Sequence, residues 1–64
     1  MYRFEMADDK GVVQSSCSAD RPEYRQINGV EYAFFYRWNS GEMRREYVAG
    51  PIPKPEGWSV RAVQ

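Results

Sequence analysis

A short stretch in the middle of the chain combines aromatic rings with guanidinium groups. Its members are Tyr36, Arg37, Trp38, Arg44, Arg45 and Tyr47. Arginine stacks on aromatic rings and donates paired hydrogen bonds to carboxylates and phosphates, and both residue types are enriched at protein interfaces. The chemistry that suits this set is recognition. The set is therefore a predicted partner-binding site, and the predicted partner is another protein.

Groups that could carry out catalysis are scarce. The sequence has no histidine, which excludes histidine triads, histidine metal ligands and histidine pH switches. Cys17 is the single cysteine, so neither an intrachain disulfide nor a cysteine-based zinc site is available. The neighbouring carboxylates Asp8 and Asp9 lie in a predicted turn, where aspartate is common for backbone reasons. We expect a protein that is not an enzyme and that uses no cofactor and no metal.

Binding of single-stranded nucleic acid is an alternative function for the same rings. Small β-barrels stack bases on exposed aromatics beside arginines, and such a surface could draw on Tyr32, Phe34, Tyr36, Trp38, Arg25, Arg37, Arg44 and Arg45. Residues 21–47 hold five arginines against four acids, and the whole chain has nine basic and nine acidic residues. Since phosphate contacts dominate nucleic-acid affinity, this balance favours a protein partner.

A structural homo-oligomer is the remaining alternative. The second predicted strand, Val12 to Cys17, is rich in small polar residues, so it forms a weakly protected edge at which two copies could pair as a homodimer.

The elements that position these residues are predicted to be β-strands. With 64 residues and 7.5 kDa, the chain is long enough for a single domain, 1–64, with a small core. It has no leucine, and aromatics make up 16% of it. A core of Tyr, Phe, Trp, Val and Met suits pleated sheets. We predict an all-β fold, with five to six short antiparallel strands in a small sheet or barrel.

The first third of the chain reads as a hairpin followed by a loop. Alternating apolar and polar residues predict a strand over Tyr2–Ala7. A turn over Asp8–Gly11, a strand over Val12–Cys17 and a loop over Ser18–Pro22 follow.

A second hairpin turns at Asn28-Gly29, the residue pair that best tolerates the positive φ angles of a type I′ turn. This turn fixes the predicted strand register, which pairs Ile27 with Val30, Arg25 with Tyr32, and Tyr24 with Ala33. The strand Val30–Trp38 carries aromatics on both faces, so it is predicted to be central and covered on both sides at its middle.

A third hairpin is predicted at Asn39–Gly41, with Gly41 in the left-handed region. The returning strand, Glu42–Val48, would then place Arg44 opposite Tyr36 and Arg45 opposite Phe35. A short helix over residues 41–49, packed on the sheet, is the alternative, because Ser40 could cap it and Gly50-Pro51 could end it.

The last segment is predicted to be an extended proline-rich connector over Pro51–Pro55, then a strand over Trp58–Val63. Trp58 is interpreted as a plug for the mouth of the barrel. No apolar run reaches the roughly 18 residues that span a membrane, and the N-terminal residues lack the apolar core of a signal peptide. We therefore expect no membrane partner and a cytoplasmic location, where Cys17 stays reduced as a small buried residue.

The residues identify no known family. Two segments near the end, Glu46–Val48 and Pro55–Val63, resemble the closing strand of very small bacteriophage proteins that inhibit host enzymes, and the resemblance covers only these residues. It implies an accessory protein of a phage or mobile element, located in the host cytoplasm, that inhibits or modulates a host protein by docking on its surface.

Overall fold

Six antiparallel strands form the fold in the computed structural model, which describes residues 1–63. They are β1 (Tyr2–Ala7), β2 (Val13–Ala19), β3 (Arg21–Ile27), β4 (Val30–Asn39), β5 (Arg44–Pro53) and β6 (Ser59–Val63). Two open three-stranded sheets result, ordered β2–β1–β6 and β3–β4–β5. The predicted all-β class with six antiparallel strands is confirmed, and the sheets do not close into a barrel.

The first sheet is built around β1, which pairs with β2 on one side and β6 on the other. Asp8 shapes the turn between β1 and β2, because its side chain accepts the backbone N–H groups of Lys10 and Val12, both at 2.9 Å. Gly11 has φ +85° in the same turn. The predicted first strand and turn are confirmed.

The second sheet is built around β4, as the aromatics on both of its faces predicted. Asn28 and Gly29 have φ values of +53° and +79°, which are the angles that a type I′ turn requires. The predicted register is confirmed at each pair: Ile27 with Val30, Arg25 with Tyr32, and Tyr24 with Ala33.

The loop predicted over Ser18–Pro22 is wrong, because the chain stays extended there. β2 ends at Ala19 and β3 begins at Arg21, so only Asp20 separates them. The Asp20 N–H donates to the Tyr36 carbonyl at 2.8 Å. A strand of the second sheet therefore satisfies the backbone where a loop was expected to meet solvent.

The turn between β4 and β5 is longer than predicted. Residues 40–43 form it, and Met43 adopts the positive φ, at +56°, that was expected of Gly41. The Asn39 side chain stabilises the turn by accepting the Glu42 N–H at 3.0 Å. The helix alternative for residues 41–49 is wrong, and the strand is confirmed.

The longer turn changes the pairing of β4 with β5. Tyr36 lies opposite Tyr47, not Arg44, and Phe35 lies opposite Ala49, not Arg45. Between Tyr36 and the turn the register shifts by three residues, an odd number, so every β5 side chain there moves to the other face of the sheet. A bulge between Phe35 and Tyr36 makes the shift four residues at Phe35.

β5 continues through the segment that was predicted to be a connector. Pro53 pairs with Tyr32, and Ile52 pairs with Ala33, so the connector prediction is wrong over Pro51–Pro53. Gly50 crosses β4 closely: a Cβ added to it would lie 2.7 Å from the Ala33 carbonyl oxygen.

One small core joins the two sheets. It consists of Phe4, Met6, Ala19, Ala33 and Phe35, with Cys17, Ala49, Ile52, Trp58 and Val60 packed against it. The rings of Phe4 and Phe35 meet across the sheets, with centroids 5.7 Å apart. Cys17 is only partly buried, and burial raises the pKa of its thiol. Since the sheets stay open, Trp58 covers this core and does not plug a barrel.

The molecule is flat. Its Cα atoms span 39 × 31 × 11 Å, and the radius of gyration is 12.2 Å, against about 11 Å expected for a spherical domain of this length. A thickness of 11 Å is close to the spacing of two packed sheets, about 10 Å. In residues 1–63, no helix is long and apolar enough to cross a membrane.

Candidate functional site

The second sheet presents one face to the core and the opposite face away from it. We call the latter the outer face and define it by Arg21, Glu23, Arg25, Tyr32, Phe34, Tyr36, Trp38, Arg45 and Tyr47. Strand pairing fixes its membership, because directly paired residues lie on the same side of a sheet. Tyr36 pairs with both Arg21 and Tyr47, and Trp38 pairs with Arg45.

Arginines cover two of the rings on the outer face. The Arg25 guanidinium lies 4.9 Å from the centroid of Phe34, and that of Arg45 lies 4.7 Å from the centroid of Tyr36. Both distances are within the range of a cation–π contact. Phe34 is only 9% exposed although the first sheet does not pack on this face. Its neighbours on the outer face therefore supply much of its burial.

Tyr47 completes this arrangement. Its ring lies 6.5 Å from that of Phe34 and 5.9 Å from that of Tyr36, the latter edge to face. Such geometries are favourable for aromatic pairs. Tyr47 is nevertheless 52% exposed to solvent.

Glu23 links two arginines across the outer face. Its carboxylate accepts a charged hydrogen bond from Nη1 of Arg45 and lies 3.8 Å from Nη2 of Arg21. The Arg45 guanidinium therefore contacts both the Glu23 carboxylate and the Tyr36 ring.

A cavity of about 160 Å³ opens at the Trp38 end of the outer face. It is lined by Asp20, Arg21, Tyr36, Arg37, Trp38 and Arg45. Trp38 is the most prominent apolar group there, with 51% of its surface exposed. The cavity thus places an exposed indole beside the guanidinium-bearing residues Arg21 and Arg45.

Asp20 holds the backbone on one side of this cavity. Its carboxylate accepts the Trp38 N–H at 2.6 Å and lies 3.2 Å from the Met1 amino group. The Trp38 N–H is the main cause of a lowered pKa at Asp20, and the Met1 amino group lowers it further. Asp20 is therefore charged at neutral pH, and its carboxylate interacts with the Trp38 N–H and the Met1 amino group of the same chain.

The structure divides the six sequence-predicted site residues between two faces. Tyr36, Trp38, Arg45 and Tyr47 lie together on the outer face, as Tyr36 and Trp38 pair with Tyr47 and Arg45 respectively. Arg37 pairs with Glu46 and so lies on the opposite face.

Arg37 and Arg44 both engage acids near the β4–β5 turn. Arg37 lies 3.4 Å from Glu46, and Arg44 lies 2.9 Å from Glu42. A hydrogen bond from the Asn39 amide is the main cause of a lowered pKa at Glu46, with Arg37 contributing next. Arg37 and Arg44 stabilise the turn through these pairs. Neither belongs to the outer face by strand pairing, although Arg37 also lines the cavity at its Trp38 end.

Sequence reasoning missed Asp20, Arg21 and Glu23 as site residues. The loop prediction over Ser18–Pro22 removed the first two from any strand face. The alternation of charged and other residues from Arg21 to Arg25 was the signal that could have placed Arg21 and Glu23 beside Arg25.

A second group of aromatic and charged residues lies on the core side of the same sheet. Lys54 lies 3.1 Å from Glu31, and its amino group is 5.8 Å from the centroid of Tyr24. Burial is the main cause of a raised pKa at Tyr24. With Trp58, these residues line an open hollow of about 320 Å³. The cation is already paired there, and the hollow is shallow.

Comparison with known proteins gives no relative: no family model, curated protein or solved structure matches the chain. Over residues 1–63, no group of three or more Cys, Asp and Glu side chains is arranged to hold a metal ion.

Proposed function

We propose that this chain is a non-enzymatic protein-binding module that docks on another protein through the Trp38 end of its outer face. The observation that carries the proposal is that two exposed rings, Trp38 and Tyr47, lie on the same face as an arginine that is already held in place. Arg45 is fixed by Tyr36 and Glu23. Exposed aromatics and arginines that are already ordered bind with little loss of side-chain entropy.

The burial pattern supports a docking role for this end of the molecule. Phe34 is nearly buried, whereas Trp38 and Tyr47 are each about half exposed on the same face. No other segment of residues 1–63 covers them, because the first sheet packs against the opposite side of β4. The two exposed rings lie on one face, and apolar surface that is contiguous, rather than scattered singly, marks interaction sites.

A protein partner is favoured over single-stranded nucleic acid because neighbouring side chains already cover aromatic rings on the outer face. A base-stacking platform needs free ring faces. Arg25 lies over Phe34 and Arg45 lies over Tyr36, while Tyr47 packs against both rings. Phe34 and Tyr36 would each have to lose a cation–π contact before stacking on a base.

The short resemblance to small bacteriophage inhibitors supports a further part of the proposal. Under it, the chain is a phage or mobile-element accessory protein that occupies the surface of a host protein in the cytoplasm. Binding that blocks or alters the partner needs no catalytic group. The free thiol of Cys17 is compatible with a reducing compartment.

The test compares three versions of the tagged full-length chain as bait in extracts of its source cells. One is unaltered, one is Trp38→Ala with Arg45→Gln, and one is the control Tyr2→Ala with Arg3→Gln. The control likewise removes one aromatic residue and one arginine, from exposed positions on β1. We expect one defined protein to bind the unaltered chain and the control. The same protein, purified, should bind the outer-face variant about thirtyfold more weakly in calorimetry, as for a hot spot of 2 kcal/mol.

Circular dichroism and thermal unfolding of all three proteins verify that they remain folded. Equal affinity of the outer-face variant and the unaltered chain for the purified partner would exclude the outer face as the docking site.

A further inference from the structure

We infer that the partner presents an acidic segment, and that one of its carboxylates enters the cavity beside Trp38, between Arg21 and Arg45. The inference rests on the proposed protein-binding function and adds the chemistry of the partner. It is drawn from the contacts that the Glu23 carboxylate makes with these two arginines.

Glu23 shows that a carboxylate fits between the two arginines. Its carboxylate contacts Nη1 of Arg45 and lies 3.8 Å from Nη2 of Arg21. A guanidinium group has five N–H donors in a planar fork, and these contacts involve one nitrogen of each arginine. Arg21 and Arg45 are about two-thirds and one-half exposed, respectively. Each can therefore engage a second carboxylate from the solvent side.

The charge around the cavity is positive once internal pairs are set aside. Arg37 is paired with Glu46, and the Asp20 carboxylate is held by the Trp38 N–H and the Met1 amino group. What remains is the pair of arginines, Arg21 and Arg45, against the single acid Glu23. This excess of one positive charge favours an anionic group of the partner.

The shape and polarity of the cavity define the rest of the recognised segment. A volume of about 160 Å³ accommodates one side chain but not a folded element. Trp38 borders it with an exposed indole, which suits an apolar residue next to the acid. The expected ligand is an extended stretch of acidic and aliphatic residues, one acid of which enters the cavity.

The experiment uses two blocked peptides as probes, one of alternating glutamate and valine and one with glutamine in place of glutamate. Binding to the full-length ¹⁵N-labelled chain is followed by the indole N–H signal of Trp38 in NMR spectra. We expect the glutamate peptide to shift this signal and to bind about tenfold more tightly than the glutamine peptide. Added salt should weaken its binding.

Three variants of the chain sharpen the experiment. Arg21→Gln with Arg45→Gln should reduce binding of the glutamate peptide to the level of the glutamine peptide. Glu23→Gln should strengthen it about two- to fivefold, because an internal competitor worth up to about 1 kcal/mol is removed. Arg3→Gln, which alters charge on the other sheet, should leave it unchanged.

The outcomes separate this inference from the proposed function. Equal binding of the two peptides, or no shift of the Trp38 signal by the glutamate peptide, would overturn the acidic-segment inference. Loss of capture by the outer-face variant would still support protein docking. An oligothymidylate that shifts the Trp38 signal when the glutamate peptide does not would overturn both, in favour of single-stranded nucleic acid.

Discussion

The two faces of the second sheet each bury a phenylalanine of β4, but by different means. Phe35, on the core face, is 2% exposed and packs against Phe4 of the other sheet. Phe34, on the outer face, is 9% exposed and lies against Arg25 and Tyr47 of its own sheet. Neighbouring residues in one strand are thus covered by apolar packing between sheets on one side and by amphipathic side chains within a sheet on the other.

The difference follows from the size of the chain. Two three-stranded sheets have four faces, and packing them together covers only one face of each. An aromatic on a remaining face meets water unless its own neighbours cover it. Arginine covers a ring with its guanidinium group and keeps that group hydrated. The outer face can therefore hold its rings in place without a third layer.

The largest expected effect on stability comes from replacing each of these two phenylalanines in turn. Phe35→Ala leaves a cavity between two sheets that cannot collapse, at a cost of about 3–5 kcal/mol. That is about the whole stability that a core of this size supplies, so we expect the protein to unfold. For Phe34→Ala we expect a smaller cost, roughly 2 kcal/mol, because Arg25 and Tyr47 can move into the space. Circular dichroism during urea unfolding measures both.

The milder variant Phe35→Leu keeps this test quantitative if Phe35→Ala cannot be purified. Its loss of stability should exceed that of Phe34→Leu. If the Phe34 variants lose as much stability as the matching Phe35 variants, the two faces cover their phenylalanines equally well.

The next prediction concerns Gly50, which lets β5 pass close to Phe34. A Cβ at this position would lie 2.7 Å from the Ala33 carbonyl oxygen and 3.4 Å from Cδ1 of Phe34, and the φ angle is +128°. Gly50→Ala should therefore cost about 2–3 kcal/mol through steric conflict and backbone strain. Thermal unfolding monitored by circular dichroism gives the value.

Gly29→Ala is the matched control, because its φ is +79° and nothing lies within 4 Å of an added Cβ. It should lower the free energy of unfolding only by the cost of placing alanine in the left-handed backbone region, about 1–2 kcal/mol. A Gly50→Ala variant that is no less stable than Gly29→Ala would argue against the close crossing of β5 over Phe34.

Local signals explain which parts of the fold could be predicted. The Asn28-Gly29 pair determines the hairpin register through its own backbone preferences, so every predicted pair there is confirmed. The central position of β4 could be predicted as well, because aromatics on both of its faces require cover on both sides.

The remaining errors depend on side-chain contacts and backbone angles that the pattern of residue types does not reveal. Asp20 keeps the chain extended through bonds to Tyr36 and Trp38, which lie far along the sequence. The β4–β5 turn gains a residue because Met43 adopts a positive φ angle and Asn39 binds Glu42. For the candidate site this had a direct effect: the register shift moved Arg45 onto the outer face and Arg44 off it.

The smallest expected effect isolates the contact between Arg25 and Phe34. A double-mutant cycle with Arg25→Gln and Phe34→Leu should give a coupling energy of about 0.5–1 kcal/mol, the range of a cation–π contact at an exposed site. The same cycle for the surface ion pair of Arg61 with Glu5, which are 3.3 Å apart on the other sheet, should give a similar or smaller value.

Salt distinguishes these two pairs. An exposed ion pair is screened by added salt, so the coupling of Arg61 with Glu5 should fall towards zero at high ionic strength. The Arg25 guanidinium lies against the Phe34 ring and also covers it from water, so this coupling should largely persist. Urea unfolding at low and high salt measures both cycles. Equal loss of the two couplings would mean that Arg25 acts only as a surface charge, and the burial of Phe34 would then depend on Tyr47 and on the passage of β5 at Gly50.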